Sequence, residues 1–488
     1  MSIKDRAVKG VAWTSIGTIG GGVLTLLVNI FMARMLTPAD FGLIELLLVF
    51  SFLSDVIVDS GFSQAIIRDS DVNEDALSSV FYLNLFIGCG LYAILYFLSP
   101  YIALYYHSPE LTSLARFTFL TIICHSLLVT PNANLNRQLN FKPFAIATLL
   151  STLISGTTCC ILAHRGLGVW ALALNIVLTY FLRTLIVWFQ IHWCPKLTFQ
   201  IKYIKKYFAF GSKLLAMGLI DKFVTNLESL LIGRYYSKSN LGYFSQGRKL
   251  DSYVGQMVLR VVNTVSYPTL AKLKDNETNL KEGYRTALKI TICGITPLIV
   301  CFISCSENVI CLLLGSKWLP SAPYLQMWAI VGYLVMIYSF FTNTYLVKGT
   351  SGRLLTLSVI RQITRILAIV LLVRISIMAT MYGIVFVTAL SCILYVYFGG
   401  KQIGYHIQEF IIDLFPFTII GIGGGLLAWW GNFYISGESV LFRLICQIAI
   451  ILASYILLLL ILRNRTILLL FDIIKNIVKR NEKNKNTN

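Results

Sequence analysis

Residues 33–42 read "ARMLTPADFG" and residues 233–242 read "GRYYSKSNLG". Arg34 and Gly42 recur as Arg234 and Gly242, and Thr37 recurs as Ser237. The likeness continues in order at a nearly constant offset. "DSGFSQAIIRDSD" (59–71) sits against "TVSYPTLAKLKDN" (264–276), and "YYHSPELTSLARF" (105–117) against "LLGSKWLPSAPYL" (313–325). Each match is weak alone, but together they describe a unit written twice in parallel.

The composition says what kind of unit. The chain has 488 residues, 57% hydrophobic and 13% charged, with a mean hydropathy of +0.74. Soluble chains are nearer half apolar and a quarter charged, so lipid must satisfy this surface. "GVLTLLVNIFMA", "ITPLIVCFI" and "LFRLICQIAIILASYILLLLIL" are, with their flanks, long enough to cross about 30 Å of hydrocarbon. The expected fold is an all-α polytopic membrane protein with fourteen spans: 11–33, 41–60, 78–98, 111–130, 143–163, 167–190, 209–232, 244–266, 287–307, 322–346, 354–373, 379–399, 411–431 and 440–462. These form an N-lobe of six helices (1–200), a C-lobe of six (201–402), two trailing helices (403–465) and an amphipathic, then disordered, tail (466–488). Parallel repeats are related by a pseudo-twofold axis along the membrane normal, with a path between the halves. No connecting loop has room for a soluble catalytic domain. The charged start, "MSIKDRAVKG", leads into an uncleaved first helix.

The charge balance, 41 Lys and Arg against 22 Asp and Glu, is mainly a topology signal. Basic residues collect at the N-terminus (Lys4, Arg6, Lys9), in the 191–213 and 267–289 loops and in the tail, which places both termini in the cytoplasm. Nothing resembles the interleaved basic surface of a nucleic-acid binder. The eleven cysteines lie mostly in apolar runs and match no zinc spacing. No metal and no cofactor is expected. "GTIGGG" (17–22) lies inside a helix and reads as small-residue packing, not a phosphate loop.

The six-plus-six layout with two trailing helices resembles the superfamily of multidrug extrusion carriers and lipid-linked saccharide flippases, and its details are similar to the Wzx-type polysaccharide flippases. The carriers of the likeness are "AVKGVAW" (7–13), "LTPADFGLI" (36–44), "VDSGFSQAII" (58–67), "VFYLNL" (80–85), "GVWAL" (168–172), "FGSKLL" (210–215), "LGYFSQ" (241–246), "YPTLAKLKD" (267–275) and "LLLGSKWLPSAPYLQ" (312–326). The resemblance implies a bacterial inner-membrane protein. It would turn undecaprenyl-pyrophosphate-linked oligosaccharides from the cytoplasmic to the periplasmic leaflet, for lipopolysaccharide, capsule or exopolysaccharide synthesis. The lipid-linked substrate and the bilayer are its partners, with polymerase and chain-length proteins of the same pathway as further candidates. It is a transporter rather than an enzyme. Alternatives are a cation-coupled multidrug exporter, a peptidoglycan-precursor flippase of the same fold, and, more distantly, a membrane glycosyltransferase or polymerase. The last two helices carry no matching motif.

Charges inside spans cost about 2.5–3.5 kcal/mol each at the bilayer centre, yet here they fall on stripes. The eighth helix aligns Arg248, Ser252, Gln256, Arg260 and Asn263, with Lys249 beside them. The eleventh has Ser358, Arg361, Gln362 and Arg365, and the seventh Asp221, Thr225 and Glu228 with Lys222. Helix two offers Ser51, Asp55 and Asp59, and helix one Thr14, Thr18, Gly21, Gly22, Thr25 and Asn29. Arg183, Arg248, Lys249, Arg260, Arg361 and Arg365, with Gln256 and Asn29, are the candidate pyrophosphate and saccharide residues, because arginine forks replace phosphate hydration. Asp55, Asp59, Asp221, Lys222 and Glu228 are candidates for gating or ion coupling. Arg34, Arg116 and Arg234 form an outer basic end. Setting Phe62 against Tyr267 puts Asp55 on Arg260, which suggests a latch across the lobes.

Overall fold

A computed structural model describes residues 9–10, 12–69, 71–191, 193–253, 255, 277–348, 350–435 and 437–461. Among them the regular structure is helical, without a strand. The first helices are α1 (Ala12–Met35), α2 (Pro38–Asp59), α3 (Glu74–Tyr105), α4 (Leu111–Arg137), α5 (Lys142–His164), α6 (Val169–Gln190) and α7 (Ile201–Tyr235). Then come α8 (238–253), α9 (Glu277–Ser304), α10 (Ala322–Val347), α11 (Ser351–Leu372), α12 (Ile377–Lys401), α13 (Ile407–Tyr434) and α14 (Val440–Ile461). Twelve helices of the described residues are long and apolar enough to cross a membrane, so the chain is a multi-pass membrane protein. Of the other two expected spans, α7 carries Lys213, Asp221, Lys222 and Glu228 along its middle. The eighth span runs into residues outside the described set.

Helices outrun the apolar stretches that announce them. α3 starts at Glu74 because the Asn73 side chain caps it, accepting from the Ala76 amide at 2.8 Å. It ends at Tyr105, beyond the apolar stop at 98. Apolar length marks the hydrocarbon, whereas caps mark the helix.

The repeated turn is a repeated helix cap. Thr37 accepts from the Asp40 amide at 3.3 Å, while Asp40 accepts from the Thr37 amide at 2.9 Å. This is a capping box, with Pro38 at the first helical position. In the second copy Ser237 accepts from the Asn240 amide at 3.2 Å. The two copies also touch. A Cβ on Gly42 would collide with the Lys238 carbonyl, and a Cβ on Gly242 with the Pro38 carbonyl, so each glycine is the gap that admits the other turn. At the far end of α2, a Cβ on Gly211 would lie 2.5 Å from the Ser60 carbonyl, and one on Gly61 (φ +73°) 2.6 Å from the Gly211 carbonyl. Lipid supplies no hydrophobic drive between helices, so contact rests on such close approach. Gly42→Ala or Gly242→Ala should therefore cost about 1–3 kcal/mol, the usual range for overpacking. Thermal unfolding in detergent would read this as a lowered midpoint.

This seam explains where the compact units divide. One runs Met1–Ser245 and the other Gln246–Asn488. The first extends past the repeat boundary expected at residue 200, because α7 lies along α2. Beyond the glycines, Ser229 donates to Glu45 at 3.1 Å, and Lys206 and Tyr207 both bond Asp69. The Lys206 ammonium holds the Asp69 carboxyl below its ordinary range.

In the second unit the trailing helices are built into the core. Asn308, in the short helix Ser306–Leu313, donates to Asn432 at 3.1 Å and to Gln447 at 2.7 Å. Tyr455 donates to the Cys293 carbonyl at 3.1 Å. Near the start of α13, Asp413 is 4% exposed and accepts from Arg285, from Lys289 at 2.9 Å and from Tyr405 at 2.9 Å. Lys281 pairs with Glu409 at 2.8 Å. Removing one partner of a buried pair strands the other. Asp413→Ala should thus destabilise the protein by about 2–4 kcal/mol, below the upper range because Arg285 and Lys289 are about a third exposed. A chemical-denaturation series would show it.

Candidate functional site

The polar stripe of α1 faces a cavity of about 700 Å³ inside the first unit. Its wall from α1 is Thr14, Gly17, Thr18, Gly21, Gly22 and Thr25. A π-helical turn at Ile16–Gly20 lies within this stretch, and such turns occur often at functional sites. Gly17 packs against Ala145 and Gly21 against Thr148, bringing α1 onto α5, whereas nothing lies within 4 Å of a Cβ placed on Gly22. Opposite stand Asn132 and Asn136 from α4, Phe144 and Thr148 from α5, and Arg183 from α6.

The hydrogen bonding gives the lining a polarity. Thr14 donates to the Gly10 carbonyl at 2.9 Å, Thr18 to Thr14 at 2.6 Å, Thr25 to Gly21 at 2.7 Å and Thr148 to Phe144 at 2.8 Å. Each hydroxyl spends its only proton on its own helix and turns acceptor lone pairs to the cavity. Arg183 is the cationic donor among the lining residues. Its Nε is buried without a hydrogen-bond partner, and its guanidinium lies 5.9 Å from the ring centroids of both Phe144 and Tyr180. Asn132 Oδ1 is likewise buried and unpaired. Among the described residues no carboxylate lines the cavity. A ligand with many hydroxyls and an anionic group would meet threonine acceptors from α1 and α5 and a cationic donor from α6.

A neighbouring opening of about 560 Å³ shares Leu139 and Phe141 with this cavity and adds Lys9, Trp13, Gln138, Asn140 and Lys142. The Lys142 ammonium lies 5.6 Å from the Trp13 ring centroid. A second polar group sits beside Arg183: Tyr180 donates to Asp55 Oδ2 at 3.4 Å, and His125 Nδ1 lies 3.9 Å from Asp55 Oδ1.

The remaining candidates scatter. Asn29 is buried in α1. Asp59 accepts from the Ser63 amide at 3.1 Å, in the first turn of the short helix Phe62–Arg68. On α7, Asp221 and Lys222 are exposed, Lys222 6.0 Å from the Phe52 ring centroid, while Glu228 is fully buried. Arg116 donates to Ser99 at 3.2 Å and lies 4.3 Å from the Tyr96 ring centroid. Arg234 donates to the Tyr105 carbonyl at 2.6 Å and lies 2.7 Å from His107. Arg34 is exposed at the end of α1. In the second unit Arg361 donates to Tyr338 at 3.3 Å while its Nε stays buried and unpaired, with Arg365 one turn along α11. Arg248 and Lys249 are half-buried in α8. Gln256 and Arg260 lie outside the described residues, and the Asp55–Arg260 latch with them.

Sequence reasoning passed over Asn132, Asn136, Lys142, His125 and Tyr180. The signal for the asparagines was present: their four-residue spacing places them on one helical face, once Pro131 is read as lying inside α4.

Comparisons with known proteins fall on this architecture. The family described as polysaccharide biosynthesis protein matches residues 31–323. The teichuronic acid biosynthesis protein TuaB of Bacillus subtilis (strain 168) is 26% identical over 350 residues, covering 71% of this chain and 72% of that one. The lipopolysaccharide biosynthesis protein WzxC of Escherichia coli (strain K12) is 24% identical over 343 residues, 68% of each. Among solved structures, the lipid II flippase MurJ in an inward closed conformation superposes with a TM-score of 0.75 at 17% identity, covering 94% of this chain and 100% of that one. At that identity the likeness speaks for the fold alone, whereas the family match spans more than half of the sequence. The chain belongs to the polysaccharide biosynthesis protein family.

Proposed function

We propose that this protein is a flippase that moves undecaprenyl-pyrophosphate-linked oligosaccharide repeat units from the cytoplasmic to the periplasmic leaflet of the bacterial inner membrane by alternating access. The observation that carries the reading is the first-unit cavity, where acceptor threonines face Arg183. Desolvating even one carboxylate-sized ion ideally costs of order 20 kcal/mol. A guanidinium with an unpaired buried N–H offsets part of that through charge-assisted bonds. The threonine oxygens and asparagine amides take sugar hydroxyls, whose unpaired burial would also be costly. The prenyl chain stays in lipid. No bond is made or broken; the protein lowers a translocation barrier.

The relatives' names concern teichuronic acid and lipopolysaccharide biosynthesis, and the shared fold is that of a lipid II flippase. All three concern glycopolymer assembly. A cation-coupled drug exporter would need an anionic or neutral path, and among the described residues this cavity is lined by an arginine and by no carboxylate. Arg248, Lys249, Arg260, Arg361, Arg365 and Gln256 are proposed to serve the same anion in the second unit. Asp55, paired with His125 and Tyr180, is the leading coupling or gating group. Asp221, Lys222 and buried Glu228 are secondary, and Arg34, Arg116 and Arg234 brace the outer end. Polymerase and chain-length proteins would receive the product.

Deleting the gene should leave lipid-linked oligosaccharide on the cytoplasmic leaflet and remove the surface polymer. Sensitivity to cationic drugs without that lipid would favour the exporter. Both termini are proposed to be cytoplasmic, by the Lys and Arg distribution. Cysteines at Ser237 and Ser316 should then react with an impermeant thiol reagent in intact spheroplasts, and one at Asn279 should not. Labelling at Asn279 would reverse the orientation.

A further inference from the structure

The second unit has an open groove of about 730 Å³ between the start of α11 and the end of α12. Exposed Arg353 and Lys401 stand at its mouth, with Gln402 beside them. The Gln402 Oε1 accepts from Thr350 at 2.9 Å, while its Nε2 is buried without a hydrogen-bond partner. None of the described lining residues is acidic. One to two turns deeper Leu357, Ile360 and Phe398 form an apolar floor, flanked by Thr356 and Tyr397. Ile360 is 44% and Phe398 42% exposed, so the apolar floor opens sideways off the helices. From Arg353 to Ile360 the helix rises about 10 Å, the distance from a headgroup phosphate to the upper acyl chain.

We propose that this groove is a binding site for an anionic glycerophospholipid of the leaflet that meets this end of α11 and α12. Two cations and an amide donor at the mouth complement a phosphodiester, since basic side chains near a bilayer surface attract anionic lipids. The apolar floor below takes the start of an acyl chain. A free phosphate would leave the floor unused. The groove also lies at the foot of the α11 stripe that carries Arg361 and Arg365, so an occupying lipid would brace that helix against α12.

The test uses the full chain purified in neutral detergent, with lipid retention measured by native mass spectrometry. Phosphatidylglycerol should be retained about tenfold more than phosphatidylcholine with the same acyl chains, a difference that two basic groups readily supply. The double variant Arg353→Ala, Lys401→Ala should lose that preference. Ile360→Trp, which fills the floor and keeps both cations, should lower phosphatidylglycerol retention several-fold, and size-exclusion elution establishes that each variant is folded. Equal retention of the two lipids by wild-type protein would overturn the proposal whatever the variants do. So would a preference that survives both variants. Displacement by stoichiometric undecaprenyl phosphate would reassign the groove to the transported lipid, and displacement by millimolar inorganic phosphate to a free anion; either result would also overturn it.

Discussion

Arg183→Ala is expected to reduce surface polysaccharide at least tenfold while the protein inserts into the membrane at normal levels. Each charge-assisted hydrogen bond lost to the substrate is worth about 1.5–3 kcal/mol. One such bond is then roughly a factor of ten, and a bidentate pair roughly a hundred or more. Arg183→Lys keeps the charge but not the fork, so it should retain part of the activity. The side chain also lies near the rings of Phe144 and Tyr180, and the Ala variant therefore gives up some packing. Partial rescue by Lys is what separates an anion-binding role from a structural one. Quantifying polymer per unit of membrane-inserted protein for wild type, Ala and Lys makes the comparison.

Gly22→Phe should abolish export with little change in stability. A Cβ at Gly22 meets nothing within 4 Å, and the residue lines the cavity, so a ring there occupies substrate space rather than protein space. Gly22→Ala should be nearly silent. Gly17→Phe makes the contrast, because a Cβ at Gly17 already meets the Ala145 methyl at 2.8 Å and the ring would force α1 from α5. Matched export assays and thermal midpoints should show loss of transport alone for Gly22→Phe, and loss of both for Gly17→Phe. A Gly22→Phe variant exporting at the wild-type rate would remove the cavity from the path.

What could be read in advance follows from the range of the interactions. Hydrophobic runs announced the helices closely: α5 was expected at 143–163 and is Lys142–His164. The α1 threonines and Arg183 were visible because a polar residue within an apolar span needs a reason. Asn132 and Asn136 were missed because the fourth span was ended at residue 130, on a proline that membrane helices tolerate inside their length. The duplicated turn was legible, and its cap chemistry follows from Thr37 and Ser237. That Gly42 and Gly242 interlock was not legible, since nothing local requires two distant glycines to meet. The same holds for Asp413 with Arg285, 128 residues apart, and for Asp55 with Tyr180, 125 apart. Such pairs are set by packing, and sequence shows only that each partner is costly alone.

The decisive measurement is reconstitution of the purified protein into proteoliposomes with the lipid-linked oligosaccharide of its own host. The readout is the appearance of saccharide in the opposite leaflet, detected by an impermeant lectin or a glycan-modifying enzyme. Translocation should run many-fold above protein-free vesicles and be lost with Arg183→Ala and Gly22→Phe. A folded wild-type protein that leaves the oligosaccharide in its original leaflet would contradict the proposed function.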